Sequence, residues 1–452
     1  MNIRANIDDR LAIDPVEAAL MDLARAIQLT PTMHREATDR YVALADYVDR
    51  PGSPLEDRVT EVYPSGSFAI HAATRSDVKR EQHDVDAVLE LLVELNADPE
   101  VVLDDLYEAI IGDPGSRYRQ LKVERNSRCI TIHYADGVTV DLMPVVRLPN
   151  TPDRVANLFH HNADKGEKYP KEVNPKGFAL HFNEAVEVSE EFAKRFDTRR
   201  FLVEGATYAE RLVRDLNASE QVLAEKAETQ PMPDYLPLDQ KSPRVVALQI
   251  LKRLRDKRYR MRDDHHGRRK PPSVVLAALA LDAVSTAPTL TDEVIAVATA
   301  IRNAIIDAER AGRTLEVRNP AHHPDVFTDR WPEDRSDQQL WAADLRDLVA
   351  GLENLRARGF DPVSVTRTFD DLFGAEVATL VLEEHFKVQN RAILDGTSRM
   401  TQDGRLSSPA VPAPPPPLGR PAIIGGAAAG AGLITPARAN TGMGGPIPHD
   451  DD

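Results

Sequence analysis

Apolar residues recur every three or four positions in the first fifty residues, which is the spacing of one helix face. The clearest set is Ala19, Leu20, Leu23 and Ile27. Asp14 and Pro15, followed by Glu17, form an N-cap, a first-turn proline and an acid placed as in a capping box, and Thr30-Pro31 marks a second start. Residues 1–50 are therefore predicted to be helices.

From about residue 59 the period of the apolar positions shortens to two, as in β-strands. The strand-like runs are "VTEVYP", "DVDAVLELLV", "RYRQLKVER" and "RCITIHYADGVTVDLMPVV". Asp136-Gly137 lies between two alternating runs and predicts a hairpin, whereas "LDDLYEAIIGD" has helical spacing. The segment 51–195 is therefore predicted to be an α+β domain with a mixed sheet.

Helical spacing returns beyond about residue 200, so the segment 196–398 is predicted to be an all-α second domain. Its runs are "YAERLVRDLN", "RVVALQILKRLRDKRYRM", "PSVVLAALALDAV", "TDEVIAVATAIRNAI" and "LWAADLRDLVAGLENLRARG". The remainder, 399–452, is rich in Pro, Gly and Ala and has no aromatic residue. Such a composition cannot bury enough apolar surface to fold, so this tail is predicted to be disordered.

Charge and cysteine content exclude some classes of protein. The formal net charge of -16 argues against a stable nucleic-acid partner, which a basic surface would normally bind. Cys129 is the single cysteine, so a Cys-rich zinc site is excluded and a reducing compartment fits. The sequence has no apolar run of about 18 residues and no leader-like N-terminus, which predicts a cytoplasmic protein that does not contact the membrane.

Two carboxylates interrupt one of the predicted core strands. Asp84 and Asp86 share one face of the strand, while Val85 points to the other. Asp141 lies on the polar face of the later strand "GVTVDLMPVV". Buried carboxylates repel each other unless a cation compensates them, and oxygen ligands of this kind suit Mg²⁺ or Mn²⁺. We therefore predict that these three residues are catalytic and hold two metal ions.

Two further elements fit a phosphate-bearing substrate. Gly66 allows a close approach of the backbone, and the Ser67 hydroxyl with neighbouring N–H groups can bind phosphate oxygens. The segment 252–270 has ten Lys and Arg against three Asp, a net charge of +7, which predicts a local positive patch for triphosphates.

The ordered set Gly66-Ser67, Asp84-Val85-Asp86 and Asp141 resembles the polymerase-β-type nucleotidyltransferases. More narrowly, three segments are similar to the bacterial cyclic GMP–AMP synthase-like enzymes, the CD-NTases: "NPKGFALHFNEA" (174–185), "SPRVVALQILKRLRDKR" (242–258) and "PPSVVLAALA" (271–280). The resemblance implies a polymerase-β-like core that forms a bilobal cage with the helical domain. It also implies that Lys252 and Ser273 contact the donor triphosphate.

The same resemblance implies an activity. NTPs, ATP among them, would be joined into a cyclic di- or trinucleotide second messenger, with two Mg²⁺ or Mn²⁺ ions and release of pyrophosphate. A separate effector protein would read the product in anti-phage defence, and an accessory protein would act on the C-terminal tail. Two alternatives stay open: transfer of a nucleotide to an RNA end, a protein or a small molecule, and an inactive nucleotide-binding scaffold.

Overall fold

Two helices open the described chain, and both begin at the residues that the sequence marks as caps. Asp14 accepts hydrogen bonds from the first-turn N–H groups of α1 (Pro15–Ile27), and Thr30 does the same for α2 (Pro31–Val48). The computed structural model describes residues 13–75, 83–151, 154–204, 228–284, 289–358, 361–394 and 396. The two predicted helix starts are confirmed.

A mixed sheet follows, in the strand order β3-β4-β5-β2-β1-β8, with β6 paired to β5 and β7 paired to β6. β2 runs parallel to β5 and β1 runs parallel to β8, whereas the other pairs are antiparallel. The strands are β1 (Val59–Ser65), β2 (His83–Leu91), β3 (Lys122–Arg125), β4 (Ile130–His133), β5 (Val138–Arg147), β6 (Ala156–Asn162), β7 (Glu167–Val173) and β8 (Glu228–Thr229).

The predicted hairpin at Asp136-Gly137 joins β4 to β5 and is confirmed. Three helices accompany the sheet: α3 (Gly66–Ala69), α4 (Pro99–Ile111) and α5 (Pro175–Ala185). The sequence analysis missed β6 and β7, because their polar and apolar residues do not alternate cleanly. The α+β fold with a mixed sheet is confirmed.

The second half of the described chain is mainly helical, with α6 (Glu190–Glu204), α7 (Pro243–Met261), α8 (Ser273–Leu281), α9 (Leu290–Arg310), α10 (Arg335–Arg358), α11 (Pro362–Phe373) and α12 (Ala375–Leu394). It also contains a short antiparallel pair, β9 (Arg318–Asn319) and β10 (His322–Val326), so this region is not purely helical. The helix predicted from "YAERLVRDLN" and the tail 399–452 lie outside the described residues. No helix within the described ranges is long and apolar enough to cross a membrane.

Apolar side chains form separate cores on the sheet and among the helices. One core packs α2 and α4 against a single face of the sheet, through residues such as Val85, Val140 and Leu142. A second core joins α1 to helices α7 to α12. The opposite face of the sheet carries a smaller third core, which includes Val88 and Val145, together with the three predicted catalytic carboxylates.

Glu17 does not form the expected capping box with Asp14. Its buried carboxylate instead accepts hydrogen bonds from the N–H groups of Leu290 and Thr291 and from the Thr291 hydroxyl. Glu17 therefore caps α9, a partner that is more than 270 residues away in the sequence. Burial raises the pKa of Glu17, and the donors from α9 oppose that rise.

We expect Glu17→Ala to lower the free energy of unfolding by about 2–4 kcal/mol, because buried N–H donors lose their only acceptor. Glu17→Gln keeps one acceptor oxygen and should lose less. The exposed Glu36 on α2 provides the control, since Glu36→Ala removes a carboxylate that has no such role. Urea unfolding of the three variants measures the effect, and equal small losses for all three would contradict this role of Glu17.

Candidate active site

One row of paired residues crosses five strands of the sheet. Ser65 of β1 pairs with Asp86 of β2, and Asp86 pairs with Asp141 of β5. Asp141 pairs in turn with Thr131 of β4, which pairs with Glu124 of β3. Directly opposed residues point to the same face of a sheet, so the row places two predicted catalytic carboxylates next to each other.

Asp84 joins this row from the same face of β2, two residues before Asp86. Asp84 is exposed, whereas Asp86 and Asp141 are half-buried. Burial, together with the charges of Asp141 and Asp84, raises the pKa of Asp86 to about 7. Burial also raises the pKa of Asp141, and the charge of Asp84 adds to that rise. The structure therefore brings the three predicted carboxylates together.

Each carboxylate has its own hydrogen-bond donor. The Thr139 hydroxyl donates to Asp84, and the Thr131 hydroxyl donates to Asp141. The Ser67 backbone N–H donates to Asp86. These donors are neutral, so they leave the negative charge of the three carboxylates uncompensated.

The oxygen-only donor set fits a hard divalent cation, which would compensate both the burial of Asp86 and its repulsion by Asp141 and Asp84. The fit concerns the chemical type of the ligands and their shared face of the sheet. Within the described ranges, no group of three Asp, Glu, His or Cys side chains lies close enough together to hold a metal ion without rearrangement.

The Gly-Ser turn lies directly against this cluster. Gly66 has a φ of 55°, and a Cβ added to it would overlap the Asp86 carboxylate. The turn continues into a loop in which the Ala72 N–H donates to the Ser67 carbonyl at 2.8 Å. Glycine is therefore required at 66 both for its backbone conformation and for its lack of a side chain.

The helical region contacts the same loop through α7. The Lys252 ammonium is buried and donates to the Ala72 carbonyl at 2.9 Å. Burial, and then the neighbouring Arg255, lower the pKa of Lys252 to about 8, although Asp86 and Asp84 act in the opposite direction. Lys252 thus lies near the carboxylates, as the proposed triphosphate contact requires.

Ser273 is the first residue of α8, and its hydroxyl accepts a hydrogen bond from Arg255 at 3.0 Å. Gln249 donates to the Ala73 carbonyl at 2.9 Å. Neither Gln249 nor the contact of Arg255 with Ser273 was predicted from the sequence. The sequence does carry a signal for them: they lie three residues before and three residues after Lys252, which places Gln249, Lys252 and Arg255 along one face of α7.

The positive patch predicted for 252–270 is weaker than the sequence indicates, because five of its ten cations form ion pairs. Asp256 and Asp264 lie in the same segment and are already included in its net charge of +7, whereas Asp337 of α10 and Asp371 of α11 are additional partners from distant helices. The pairs are Arg255–Asp256, Arg258–Asp371, Arg262–Asp264, Arg268–Asp337 and Lys270–Asp256.

Comparison with known proteins agrees with this geometry. Residues 15–169 match the Second Messenger Oligonucleotide or Dinucleotide Synthetase domain. Over 97% of its length the chain is 33% identical to the cyclic dinucleotide synthase CdnG of Bradyrhizobium diazoefficiens, covering 96% of that protein. The structure of that CD-NTase with GTP matches 82% of this chain and all of the other, with a TM-score of 0.65. The chain belongs to the CD-NTase family.

The family resemblance and the nucleotidyltransferase class predicted from the sequence are therefore confirmed. A second, shorter match to this CD-NTase is the c-di-GMP synthase of Roseivirga ehrenbergii. It is 25% identical over 130 residues, which cover 28% of this chain and 34% of that protein.

We expect Gly66→Ala to distort the carboxylate cluster, because its Cβ would displace Asp86. The matched control is Gly52→Ala, since Gly52 also has a positive φ, of 78°, but an added Cβ would meet nothing within 4 Å. Both variants should lose about 1 kcal/mol of stability from backbone strain. Only Gly66→Ala should also weaken Mn²⁺ binding, measured by calorimetry, and equal Mn²⁺ affinities in the two variants would contradict the close packing of Gly66 on Asp86.

Proposed function

We propose that this CD-NTase joins NTPs into a cyclic nucleotide second messenger and releases pyrophosphate. The observation that carries the proposal is the convergence of Asp84, Asp86 and Asp141 beside the Gly66-Ser67 turn and Lys252. The relatives that act on two nucleotides and the GTP-bound relative favour a cyclic dinucleotide with GTP among the substrates, in addition to the ATP expected from the sequence.

In this proposal the three carboxylates hold two Mg²⁺ or Mn²⁺ ions. The ions would lower the pKa of the acceptor ribose hydroxyl and would compensate the negative charge of the departing pyrophosphate. The residues of the chain fix the positions of the reactants. The row across β1, β2 and β5 places the carboxylates on a rigid sheet, so little reorganisation is needed when charge develops in the transition state.

The triphosphate of the donor NTP would lie between the Gly-Ser turn and α7. Backbone N–H groups of Gly66 and Ser67, at the start of α3, would bind phosphate oxygens. Lys252 would form a charge-assisted contact with the triphosphate, and Ser273 would form a neutral hydrogen bond with it. Lys252 now donates to the Ala72 carbonyl, and that bond would be exchanged for, or shared with, a phosphate oxygen.

The wider role follows from the family resemblance. We propose that the protein acts in the cytoplasm in anti-phage defence, that a separate effector reads the product, and that an accessory protein acts on the tail 399–452.

The proposed boundaries are 51–195 for the catalytic core and 196–398 for the helical domain that closes the cleft, with residues 1–50 packing on both. Transfer to RNA, protein or a small molecule, or an inactive scaffold, would give different products.

Product analysis separates these functions. The wild-type protein, incubated with Mg²⁺ or Mn²⁺ and labelled NTPs, should yield a phosphatase-resistant cyclic nucleotide by mass spectrometry. The double variant Asp84→Ala, Asp86→Ala and the single variant Asp141→Ala should make none. Both should unfold at the same or a higher temperature than metal-free wild type, because repelling charges are removed. Asp136→Ala, in the β4–β5 turn, is the control that should stay active. Turnover above a few per cent in the carboxylate variants would contradict the metal site.

The pH dependence of kcat/KM tests the triphosphate contact. Because the pKa of Lys252 is lowered to about 8, its ammonium loses the proton as the pH rises through that value, and kcat/KM for the NTP should fall. Lys252→Ala should lack this fall. At pH 7 it should lose about ten- to a hundredfold in kcat/KM, the value of a charge-assisted contact.

Two further variants serve as comparisons. Ser273→Ala removes a neutral hydrogen bond and should lose roughly fivefold. Arg268→Ala should lose less, because Arg268 is bound to Asp337. Equal small effects at positions 252, 273 and 268, or an unchanged alkaline fall in Lys252→Ala, would contradict the contact.

A further inference from the structure

A chain of two hydrogen bonds ends on the Asp141 carboxylate. The Asn126 side-chain amide donates to the Thr131 hydroxyl at 2.7 Å, and that hydroxyl donates to Oδ1 of Asp141. Asn126 is itself fixed by the turn between β3 and β4, where its backbone N–H donates to the Cys129 carbonyl at 2.9 Å. The chain therefore runs from a fixed turn to the carboxylate.

The direction of this chain is set by the number of protons. A threonine hydroxyl has one proton to donate and two lone pairs to accept with. Asn126 occupies one lone pair of Thr131, and the single hydroxyl proton goes to Asp141, because a carboxylate is a stronger acceptor than the Cys129 thiol that Thr131 also contacts. Thr131 is only 8% exposed, so water does not readily compete for the hydroxyl. Oδ1 of Asp141 is thereby held in place.

Asp84 has a different environment. Its donor is Thr139, one residue after the start of β5 and at the exposed end of the sheet. The bond between them is exposed to solvent, whereas the bond between Thr131 and Asp141 is part-buried. Asp141 is thus held more firmly than Asp84 before any substrate arrives.

We propose that Asn126 and Thr131 form a positioning relay that orients Asp141 as a metal ligand. The inference rests on the proposed function, since it assigns a role to these two residues at the metal site. Mutation of a hydrogen-bond partner that orients a metal ligand typically lowers metal affinity by roughly 10- to 100-fold. In this proposal neither residue is itself a metal ligand, and both act through Asp141.

The test is Mn²⁺ binding to the full-length, metal-free protein. Binding is measured by calorimetry and by the electron paramagnetic resonance signal of free Mn²⁺. Thr131→Val keeps the shape of the side chain but removes its hydroxyl, and should weaken Mn²⁺ binding about tenfold or more. Thr131→Ser keeps the hydroxyl and should restore affinity to within about threefold of wild type. Thr60→Val is the matched control, because its hydroxyl donates to the Glu90 carbonyl on the same sheet, away from the site.

Asn126→Ala extends the test to the first residue of the relay. It should weaken Mn²⁺ binding in the wild-type background but have no further effect when combined with Thr131→Val, because it acts only through the hydroxyl. If the two residues had a purely structural role, their variants would melt at a lower temperature but bind Mn²⁺ as tightly as wild type. The non-additivity would then not be observed.

The outcomes separate the relay from the metal site itself. If wild type binds Mn²⁺ and Asp141→Ala does not, while Thr131→Val binds like wild type, the relay is overturned and the proposed function stands. If wild type binds no Mn²⁺, or Asp141→Ala binds as tightly as wild type, both proposals fail. Loss in Thr131→Val with recovery in Thr131→Ser supports the relay.

Discussion

Repulsion among three carboxylates on one face of a sheet is the constraint around which the described structure is organised. Parallel pairing of β2 with β5 places Asp86 opposite Asp141, and the two-residue period of β2 adds Asp84 on the same face. Burial first, and then the charges of Asp141 and Asp84, raise the pKa of Asp86 to about 7, so the arrangement disfavours its ionised form. An apolar core on the other face, built with α2 and α4, holds the strands in this register despite that repulsion.

The neighbouring elements follow from the same constraint. Gly66 is needed because any side chain there would overlap Asp86, so the turn after β1 passes as close to the carboxylates as a backbone can. Lys252 brings a buried cation to the loop that follows, and its lowered pKa shows that burial disfavours its charge. Gln249 binds the same loop, so α7 and the loop are held together by two side chains one turn apart.

The sequence predicts those features that depend on local period and on short-range signals. Helix caps at Asp14 and Thr30, the hairpin at Asp136-Gly137 and the shared face of Asp84 and Asp86 are of this kind. The family resemblance added Lys252 and Ser273. What could not be predicted depends on partners far along the chain: Glu17 caps α9, Arg258 pairs with Asp371 of α11, and the contact from Thr131 to Asp141 needs the antiparallel register of β4 and β5.

The ion pairs that weaken the positive patch at 252–270 affect the proposed chemistry. A chain of net charge -16 in which half of the cations of the basic segment 252–270 are paired offers little long-range attraction to a triphosphate. Compensation of the substrate charge must therefore be local. Lys252 supplies one positive charge, but the negative charges of the three carboxylates offset its attraction for the triphosphate. In the proposed function the bound divalent cations must then compensate both the carboxylates and the triphosphate, so the precise orientation of each carboxylate controls substrate binding as well as the chemical step.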